Sequence, residues 1–487
     1  MRNLALALAG AALLVLAFPP AGLSWLAPLA LAPLLVAAAR EPRHWRRFLW
    51  GQAAGVLYWF GACLWIRDVL AVHGGMGAWG AWGVFLLFAL GKGLHLAVFC
   101  LLAGALMRRR FAAPAVAALW TGLERTHGPL GFTWLALGNA GIDYGIPMRL
   151  APWTGVYGLS FVFALAGAVL ALAWLRRPRR ELAWVAALVS LYLLPALPAT
   201  QSGRESAALL QPNIRMDENW TAQARSRMYE RAFSLSLRAA LDSSQPPAAL
   251  IAWPESPAPI YYESDPVFRE QANQLARAAR TPFLFGMVAF TSSGAPLNSA
   301  QYVSASGEPL ARYDKIHLVP FGEFVPAPFG FVSRITQEAG DFAPGTRVVV
   351  APVGAHRAGA FICYESAFPH LVRRFAEAGA ELFVNLSNDG YFGRSAAREQ
   401  HLLLARMRAA ENRRWILRAT NDGITAAIDP AGRIAEQWRP YAEHAGRLRF
   451  SWVQSMTLYT RYGDWFAWLC LAAGVASVWR RPDYTAR

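Results

Sequence analysis

Eight long apolar segments constrain the fold of this chain more than any other feature of its sequence. Several approach the ~20 residues that a helix needs to cross the ~30 Å hydrocarbon core of a bilayer. Of the 487 residues, 55% are hydrophobic and only 16% are charged, a smaller charged fraction than soluble proteins usually carry. The sequence therefore predicts a polytopic α-helical membrane bundle of eight transmembrane helices, at roughly 3–18, 22–39, 49–66, 77–107, 111–126, 156–175, 182–198 and 464–479.

The first apolar segment also resembles a signal peptide, because Arg2 precedes a run rich in alanine and leucine. Phe18, Pro19 and Pro20 follow this run directly, and no good small-x-small cleavage site precedes them. Another apolar segment begins at once. We therefore predict that the first segment is an uncleaved membrane span.

The distribution of arginine predicts how the apolar segments are oriented. If residue 1 is cytoplasmic, the inside segments hold 15 arginines, whereas the short outside loops hold only Arg67 and Arg149. Such an excess is the positive-inside pattern of membrane proteins. It predicts a seven-helix transmembrane bundle at 1–198, a domain outside the cytoplasm at 199–463, and a closing transmembrane helix with a cytoplasmic tail at 464–487.

The net charge of +16 does not indicate a nucleic-acid-binding protein, because of where the charge is located. Residues 200–463 hold 28 basic and 24 acidic residues, a net charge of +4, whereas the rest of the chain holds 19 and 7, a net charge of +12. The excess therefore lies beside the apolar segments, where it is a topology signal. We expect the lipid bilayer as a partner and no nucleic acid.

A transporter or channel is the ordinary interpretation of a chain with eight spans. Transporters usually show internal repeats or polar residues within their spans. In this sequence Lys92 and His95 are the main ionisable residues well inside an apolar segment, and no internal repeat is visible. We therefore look for the chemistry in the domain at 199–463.

Short apolar strands alternate with helical stretches in this domain, a pattern that predicts an α/β fold. Predicted strands lie at 207–214, 248–253, 283–290 and 381–386, with a further strand that ends at Cys363, hairpins at 299–313 and 415–437, and helices at 221–241, 266–279, 367–378 and 396–412. Continuous apolar strands indicate a sheet that is covered on at least one face. The hairpins indicate mixed rather than purely parallel pairing.

Only one of the four cysteines, Cys363, lies in this domain, so the domain is predicted to have no internal disulfide. The sequence has no Cys-x-x-Cys motif and its nine histidines show no metal-ligand spacing, so we expect no metal site. Cys363 ends an apolar strand and is followed by Tyr364 and Glu365. Taken alone, such a cysteine is either a buried packing residue or a nucleophile.

Three segments place polar groups suited to catalysis at the ends of apolar strands. They supply Glu255, Cys363, and a segment with both Lys315 and Glu323. Because ligands collect at the carboxyl ends of strands in α/β sheets, these groups are expected to converge on one site. Only two of the 47 basic residues are lysines, at 92 and 315. Lysine is compact and can exchange a proton, whereas arginine stays charged, so Lys315 is either chemically required or a chance surface lysine.

The motifs around these residues resemble the carbon–nitrogen hydrolase (nitrilase) superfamily, whose members use a Glu-Lys-Cys triad. The motifs are Trp253-Pro254-Glu255, Asp314-Lys315-x-His317-Leu318-Val319-Pro320-Phe321-Gly322-Glu323 and Cys363-Tyr364-Glu365. Together with the predicted spans, they resemble the apolipoprotein N-acyltransferase family. Further matches are Gln211-Pro212-Asn213-Ile214, Asn298-Ser299, Asn385-Leu386-Ser387-Asn388-Asp389, Arg406-Met407-Arg408-Ala409 and Arg418-Ala419-Thr420-Asn421. One residue departs from the family pattern, because Tyr391 stands where the family usually has Trp in an Asn-Asp-x-Trp-Phe-Gly loop.

This resemblance implies a nitrilase-like α-β-β-α sandwich on the periplasmic side of the bacterial inner membrane. It implies acyl transfer from a phospholipid, with phosphatidylethanolamine expected, to the N-terminal amine of the S-diacylglyceryl cysteine of an apolipoprotein, without a cofactor. The implied catalytic residues are Glu255, Lys315 and Cys363, with Cys363 carrying the acyl group as a thioester. The implied supporting residues are Glu323, Tyr364 and Glu365, and the implied substrate contacts are Asn298, Tyr391 and Trp220.

An alternative function stays open on the sequence. A membrane-tethered amidase would use the same triad to hydrolyse a small amide. In that enzyme water would attack the thioester, whereas an acyltransferase must exclude water from it.

The apolar segment 325–332 follows the Lys315–Glu323 motif directly. It is predicted to be a lid or a lipid-facing arm, or alternatively a buried loop.

Overall fold

The computed structural model describes residues 1–177, 181, 183–200, 202–256, 258–324 and 342–479. The predicted apolar arm at 325–332 lies outside these residues. The chain divides into two compact units, of which the first comprises Met1–Ala71, Gly77–Leu197 and Tyr462–Arg487. The second comprises Val72–Met76 and Pro198–Arg461.

Helices occur in both units, and those of the first unit are mostly apolar. In chain order they are α1 (Arg2–Leu16), α2 (Ala27–Arg40), α3 (His44–Ala62), α4 (Trp65–Val72), α5 (Gly77–Leu106), α6 (Ala112–Arg125), α7 (Ala151–Thr154), α8 (Val156–Trp174), α9 (Trp184–Ala187), α10 (Ala222–Ala240), α11 (Pro266–Ala279), α12 (Pro369–Glu377), α13 (Ala397–Asn412), α14 (Leu458–Tyr462) and α15 (Trp465–Trp479). Short 3-10 helices include Leu188–Leu193, Cys363–Ala367 and Asp389–Phe392.

The structure does not confirm the predicted count of eight transmembrane helices. Among the described residues, α5 and α8 are long and apolar enough to cross a membrane, and α3 with α4 is a third span if this pair, bent by 62°, is one broken helix. The other predicted segments are shorter than a span requires, because α1, α2, α6 and α15 have only 14 or 15 residues. The predicted span at 182–198 contains α9 and a 3-10 helix.

Close helix packing in the first unit depends on glycine. A Cβ added to Gly51 of α3 would lie 2.5 Å from the carbonyl oxygen of Leu96, and one added to Gly55 would lie 2.6 Å from the Cα of Gly93. Both neighbours belong to α5, so the two backbones approach each other where side chains are absent. Small residues at helix contacts are typical of helices that associate within a membrane.

Two six-stranded sheets form the centre of the second unit. The first has the order β12-β1-β2-β3-β4-β5 and the second the order β11-β10-β9-β8-β7-β6. The strands are β1 (Glu205–Gln211), β2 (Ala248–Ala252), β3 (Phe283–Phe290), β4 (Pro296–Val303), β5 (Pro309–Asp314), β6 (Val350–Val353), β7 (His356–Ile362), β8 (Leu382–Ser387), β9 (Trp415–Thr420), β10 (Ala426–Ile428), β11 (Ile434–Gln437) and β12 (His444–Phe450).

Each sheet combines three parallel strands with antiparallel neighbours. Strands β1, β2 and β3 are parallel in the first sheet, as are β7, β8 and β9 in the second, and the outer pairs are antiparallel. Helices α10 and α11 pack on the first sheet, α12 and α13 pack on the second, and the two sheets contact each other. The predicted α-β-β-α sandwich with mixed pairing is therefore observed.

Aromatic side chains of this unit pack around the end of β2 and against β3. Phe268 of α11, Phe283 and Phe285 are fully buried, and the Trp253 ring lies 5.0 Å from that of Phe283. The hydroxyl of Ser236 accepts a hydrogen bond from Trp253 Nε1 at 2.7 Å. This packing fixes the end of β2 three residues before Glu255.

Candidate active site

Glu255 lies just beyond β2, where a glycine of the next strand leaves room for it. A Cβ added to Gly286 of β3 would lie 2.7 Å from the Cα of Glu255 and 2.5 Å from the backbone nitrogen of Ser256. The Gly286 N–H donates to the carbonyl oxygen of Pro254 at 3.2 Å. The close approach of the two backbones therefore buries Glu255, which is 6% exposed.

Lys315 follows β5 and bonds to two carboxylates at once. Its Nζ donates to Glu255 Oε1 at 3.1 Å and to Glu323 Oε1 at 2.9 Å, and the residue is 1% exposed. Burial disfavours its charged form, but Glu255 and Glu323 outweigh burial and hold the pKa of Lys315 well above its ordinary value. The side chain is therefore a cation fixed between two anions, and not a chance surface lysine.

Backbone and amide donors hold the two carboxylates in place. The Nδ2 of Asn298 donates to Glu255 Oε1 at 2.8 Å and to Glu323 Oε1 at 2.6 Å. The N–H of Asn388 donates to Glu255 Oε2 at 2.9 Å, and the N–H of Val319 donates to Glu323 Oε2 at 2.7 Å. Asn298 was predicted to contact substrate. In the structure its amide nitrogen is occupied by these carboxylates, while its buried Oδ1 has no hydrogen-bond partner among the described residues.

Cys363 is the first residue after β7 and has a left-handed backbone with φ of 49°. Its side chain is buried, and burial raises the pKa of the thiol. The negative charge of Glu255 raises this pKa further, whereas the positive charge of Lys315 lowers it. Burial is thus the largest influence on the ionisation of this thiol, and the charges of Glu255 and Lys315 act on it in opposite directions.

Glu365 connects the turn that contains Cys363 to the segment that follows Lys315. Its Oε2 accepts a hydrogen bond from the Ile362 N–H at 2.7 Å, and its Oε1 accepts from the Ile316 N–H at 2.7 Å and the His317 N–H at 3.2 Å. The hydroxyl of Tyr313 also donates to Oε1 at 2.7 Å. Burial raises the pKa of Glu365 to about 7, although the donors act in the opposite direction. This carboxyl group therefore fixes the backbone next to Cys363 and the backbone that follows Lys315.

The other predicted site residues occupy different surroundings. Tyr364 is buried and its ring packs edge-on against Phe368. Tyr391 lies in the 3-10 helix Asp389–Phe392 and is 42% exposed. Trp220 packs, partly buried, against the hydrophobic core of the first sheet. The substrate roles of Tyr391 and Trp220 stay predictions.

Sequence reasoning missed a second buried group of polar residues beside Cys363. Asp389, His401 and Arg418, here called the Asp389 cluster, have fully buried side chains. The Nη2 of Arg418 lies 2.9 Å from Asp389 Oδ2, and His401 Nδ1 lies 3.0 Å from Asp389 Oδ1. Asp389 and Arg418 fall within the quoted motifs, but nothing in the sequence around His401 indicated its partners.

The arrangement combines a thiol, a carboxylate and a fixed ammonium, which are the groups that covalent acyl transfer needs. Cysteine supplies a nucleophile, a carboxylate moves the proton, and an ammonium stabilises an oxyanion. Among the described residues, no three histidine, cysteine, aspartate or glutamate side chains are grouped so as to hold a metal ion.

Two family models match the chain along its length. The Apolipoprotein N-acyltransferase N-terminal domain matches residues 10–169, and Carbon-nitrogen hydrolase matches residues 206–444. Among solved structures, an amidase from Nesterenkonia sp. shares 19% identity with a TM-score of 0.40, covering 54% of this chain and 94% of that chain. A likeness of this size does not bear on the choice between transferase and hydrolase.

Relatives that match nearly the whole chain carry the assignment further. An apolipoprotein N-acyltransferase of Geobacter metallireducens is 35% identical, covering 97% of this chain and 94% of that protein. One of Ralstonia nicotianae is 34% identical over 92% of this chain and 88% of that protein, and one of Methylococcus capsulatus is 32% identical over 98% and 96%. With both domains matched in order over this length, the chain belongs to the apolipoprotein N-acyltransferase family of the nitrilase superfamily.

Proposed function

We propose that this protein transfers a fatty acyl chain from a phospholipid to the N-terminal amine of the S-diacylglyceryl cysteine of an apolipoprotein. One observation carries this proposal beyond family membership. Lys315, 1% exposed, bonds to both Glu255 and Glu323, and Glu365 hydrogen-bonds both to Ile316, next to Lys315, and to Ile362, next to Cys363. These residues form a charged site that suits acyl transfer through a cysteine thioester.

In the first half-reaction the Cys363 thiolate attacks an ester carbonyl of the phospholipid. Glu255 takes the thiol proton, because an unperturbed thiol is mostly protonated at neutral pH and burial raises the pKa of Cys363 further. A C–S bond forms and the ester C–O bond breaks. The proton held by Glu255 passes to the departing alkoxide, so a lysophospholipid leaves and the acyl group stays on sulfur.

In the second half-reaction the free amine of the diacylated apolipoprotein attacks the thioester. A C–N bond forms, the C–S bond breaks, and Glu255 receives the proton that the amine loses. The thiolate of Cys363 is regenerated. Water would release the same acyl group as a fatty acid, so the acceptor amine has to reach the thioester before water does.

Both half-reactions pass through a tetrahedral intermediate with a negatively charged oxygen. Lys315 would stabilise this oxyanion with the backbone N–H of Tyr364, since preorganised donors act strongly in a site from which water is excluded. The contacts of Glu323 with Lys315 and Val319 suit a role in holding the ammonium in place. Glu365 accepts hydrogen bonds from the residues next to Cys363 and Lys315, and it would hold these two residues at a fixed separation.

The sequence supports a membrane setting for this reaction. We propose that residues 1–198 and 464–487 anchor the protein in the bacterial inner membrane and that the catalytic domain at 199–463 faces the periplasm. The arginine excess of the predicted inside segments supports this orientation. Phosphatidylethanolamine is the donor we expect. Reporter fusions at Gly203 and Arg487 should locate to opposite sides of the membrane, and equal locations would contradict the orientation.

A two-step labelling experiment tests the function. Purified protein in detergent is incubated with phosphatidylethanolamine that carries a labelled acyl chain, and the expected product is a labelled thioester on Cys363. Addition of a diacylated lipopeptide with a free N-terminal amine should then move the label to the peptide. The matched control is the same lipopeptide with its amine acetylated, which should leave the label on the protein.

The same experiment separates the transferase from the membrane-tethered amidase. A hydrolase would release labelled fatty acid at the same rate with either lipopeptide, because water and not the amine accepts the acyl group. Failure of the protein to take up label from any phospholipid, together with turnover of a small amide, would replace the proposed function by amide hydrolysis.

A further inference from the structure

The carbonyl oxygen of Cys363 accepts a hydrogen bond from within the Asp389 cluster. His401 Nε2 lies 2.9 Å from this oxygen, and both groups are buried. A carbonyl oxygen can only accept, so the proton of the imidazole must be on Nε2. The bond therefore links helix α13 to the backbone of the residue that carries the thiol.

The rest of the cluster surrounds the other ring nitrogen of His401. His401 Nδ1 lies 3.0 Å from both Arg418 Nη2, which can only donate, and Asp389 Oδ1, which can only accept, so it is the contact of Nε2 with the Cys363 carbonyl that requires a proton on Nε2. Burial and the charge of Arg418 both hold the pKa of His401 below its ordinary value. Arg418 is in turn paired with Asp389, whose Oδ1 also accepts from the hydroxyl of Ser387 at 2.8 Å.

Cys363 needs such support because its backbone is in an unfavourable conformation. A φ of 49° lies in the left-handed region, which is unfavourable for a residue that carries a side chain. The preceding residue, Ile362, is held by the pairing of β7 with β8 and by Glu365. Cys363 itself is the first residue of the 3-10 helix Cys363–Ala367, so its carbonyl lies where the chain turns out of β7.

We propose that His401 is a positioning residue for the nucleophile: its Nε2–H holds the Cys363 carbonyl so that the thiol keeps its place beside Glu255 and Lys315. Asp389 and Arg418 both contact the opposite ring nitrogen, Nδ1, and so hold the ring in the orientation that directs Nε2 at this carbonyl. The assignment rests on the proposed role of Cys363. It also predicts that His401 affects the reactivity of the thiol without touching either lipid substrate.

The test compares His401→Leu with His401→Gln in a background where Cys63, Cys100 and Cys470 are alanine. Leucine fills similar space without a polar atom, whereas the amide of glutamine can donate to the Cys363 carbonyl and accept from Arg418. We expect His401→Leu to slow both alkylation of Cys363 by iodoacetamide and acyl-enzyme formation by about tenfold, the scale of one buried hydrogen bond. The KM for phospholipid should change less than about twofold, because this bond acts only through Cys363. His401→Gln should restore most of both rates.

Several outcomes would overturn the proposal. One is a rate in His401→Leu within twofold of the parent, and another is equal slowing in folded His401→Leu and His401→Gln. If His401→Leu does not fold, His401→Asn replaces it, since asparagine reaches only the Nδ1 position. An asparagine variant as reactive as the glutamine variant would then refute the Nε2 bond. His444→Leu, at an exposed histidine of β12, is the matched control.

The alkylation readout also separates this proposal from the proposed function. If Cys363→Ala still accepts an acyl group from phospholipid, the proposed nucleophile is wrong. The iodoacetamide rates of the His401 variants nevertheless report on the hydrogen bond to Cys363 in that case. A slow His401→Leu with a restored His401→Gln would then support the positioning role alone.

Discussion

The surroundings of the chain's two lysines differ in the charge that faces each ammonium. The Nζ of Lys315 lies 3.1 Å from Glu255 Oε1 and 2.9 Å from Glu323 Oε1. Lys92 is also buried, but its Nζ donates to the Phe132 carbonyl oxygen at 2.7 Å and lies 5.5 Å from the centre of the Trp59 ring. Among the described residues, no carboxylate lies within ion-pair distance of Lys92.

The difference shows that the partners of a rare residue carry more information than its rarity. Composition marks both lysines equally in a chain whose other 45 basic residues are arginines. Two carboxylates and a nearby thiol give Lys315 a chemical setting, whereas a carbonyl and an aromatic face satisfy the ammonium of Lys92 within the fold. The experiments that follow test whether this contrast in contacts is also a contrast in function.

Among the substitutions in and around the Lys315 site, removal of the Cys363 thiol should reduce acyl-enzyme formation most. In Cys363→Ala no thiolate is present to hold the acyl group, so acyl-enzyme should fall to background, and Cys363→Ser should be badly impaired because a hydroxyl is far less acidic than a thiol. The measurement is transfer of a labelled acyl chain from phosphatidylethanolamine to the purified variant. Cys63→Ala, Cys100→Ala and Cys470→Ala should label nearly normally. Labelled Cys363→Ala would disprove the assignment of the nucleophile.

Substitution of Lys315 tests its shape as well as its charge. We expect Lys315→Arg to slow acyl-enzyme formation by at least ~100-fold, the scale of losing one oxyanion donor. A guanidinium is planar and wide, and it would pair with Glu255 through two hydrogen bonds and withdraw the base from the thiol. Lys315→Met should be at least as damaging in folded protein. Wild-type rates in Lys315→Arg would show that any cation suffices at this position.

Elements defined by local signals could be predicted from the sequence. Helix α11 and strand β3 have their predicted bounds. The start of α11 is a local feature, because Asp265 Oδ1 accepts from the N–H groups of Val267 and Phe268 and Pro266 follows the cap. The motifs likewise placed Glu255, Lys315 and Glu323 together, as the resemblance implied.

Features that depend on distant partners could not be predicted. Strand β12 contains Arg447 and Arg449 and lacks a continuous apolar run, yet it pairs with β1, more than 200 positions earlier in the chain. The orientation of the His401 ring depends on residues from three separate elements. In both cases the determining contact joins parts of the chain that share no local pattern, so only the folded structure shows it.

Opposite charges around Cys363 should move the ionisation of its thiol in opposite directions. Glu255 raises the pKa of Cys363 and Lys315 lowers it, so Glu255→Gln should lower this pKa and Lys315→Met should raise it. The measurement is the pH dependence of iodoacetamide alkylation in a variant without the other three cysteines. Glu255→Gln should still lose acyl transfer, because its thiol ionises more easily but lacks a base. Shifts of the same sign would contradict the proposed arrangement of charges.

The smallest effect is expected at Lys92, and it decides whether the two lysines differ in function. Lys92→Met keeps the length of the side chain and removes its donor, so the Phe132 carbonyl loses a bond worth about 1 kcal/mol. Thermal unfolding should therefore begin at a slightly lower temperature. Acyl-enzyme formation should stay within about threefold of the wild-type rate, in contrast to Lys315→Met. An ionisable residue in a membrane helix is often functional. A loss of acylation in folded Lys92→Met as large as that in Lys315→Met would therefore mean that contacts with carboxylates do not separate the two lysines.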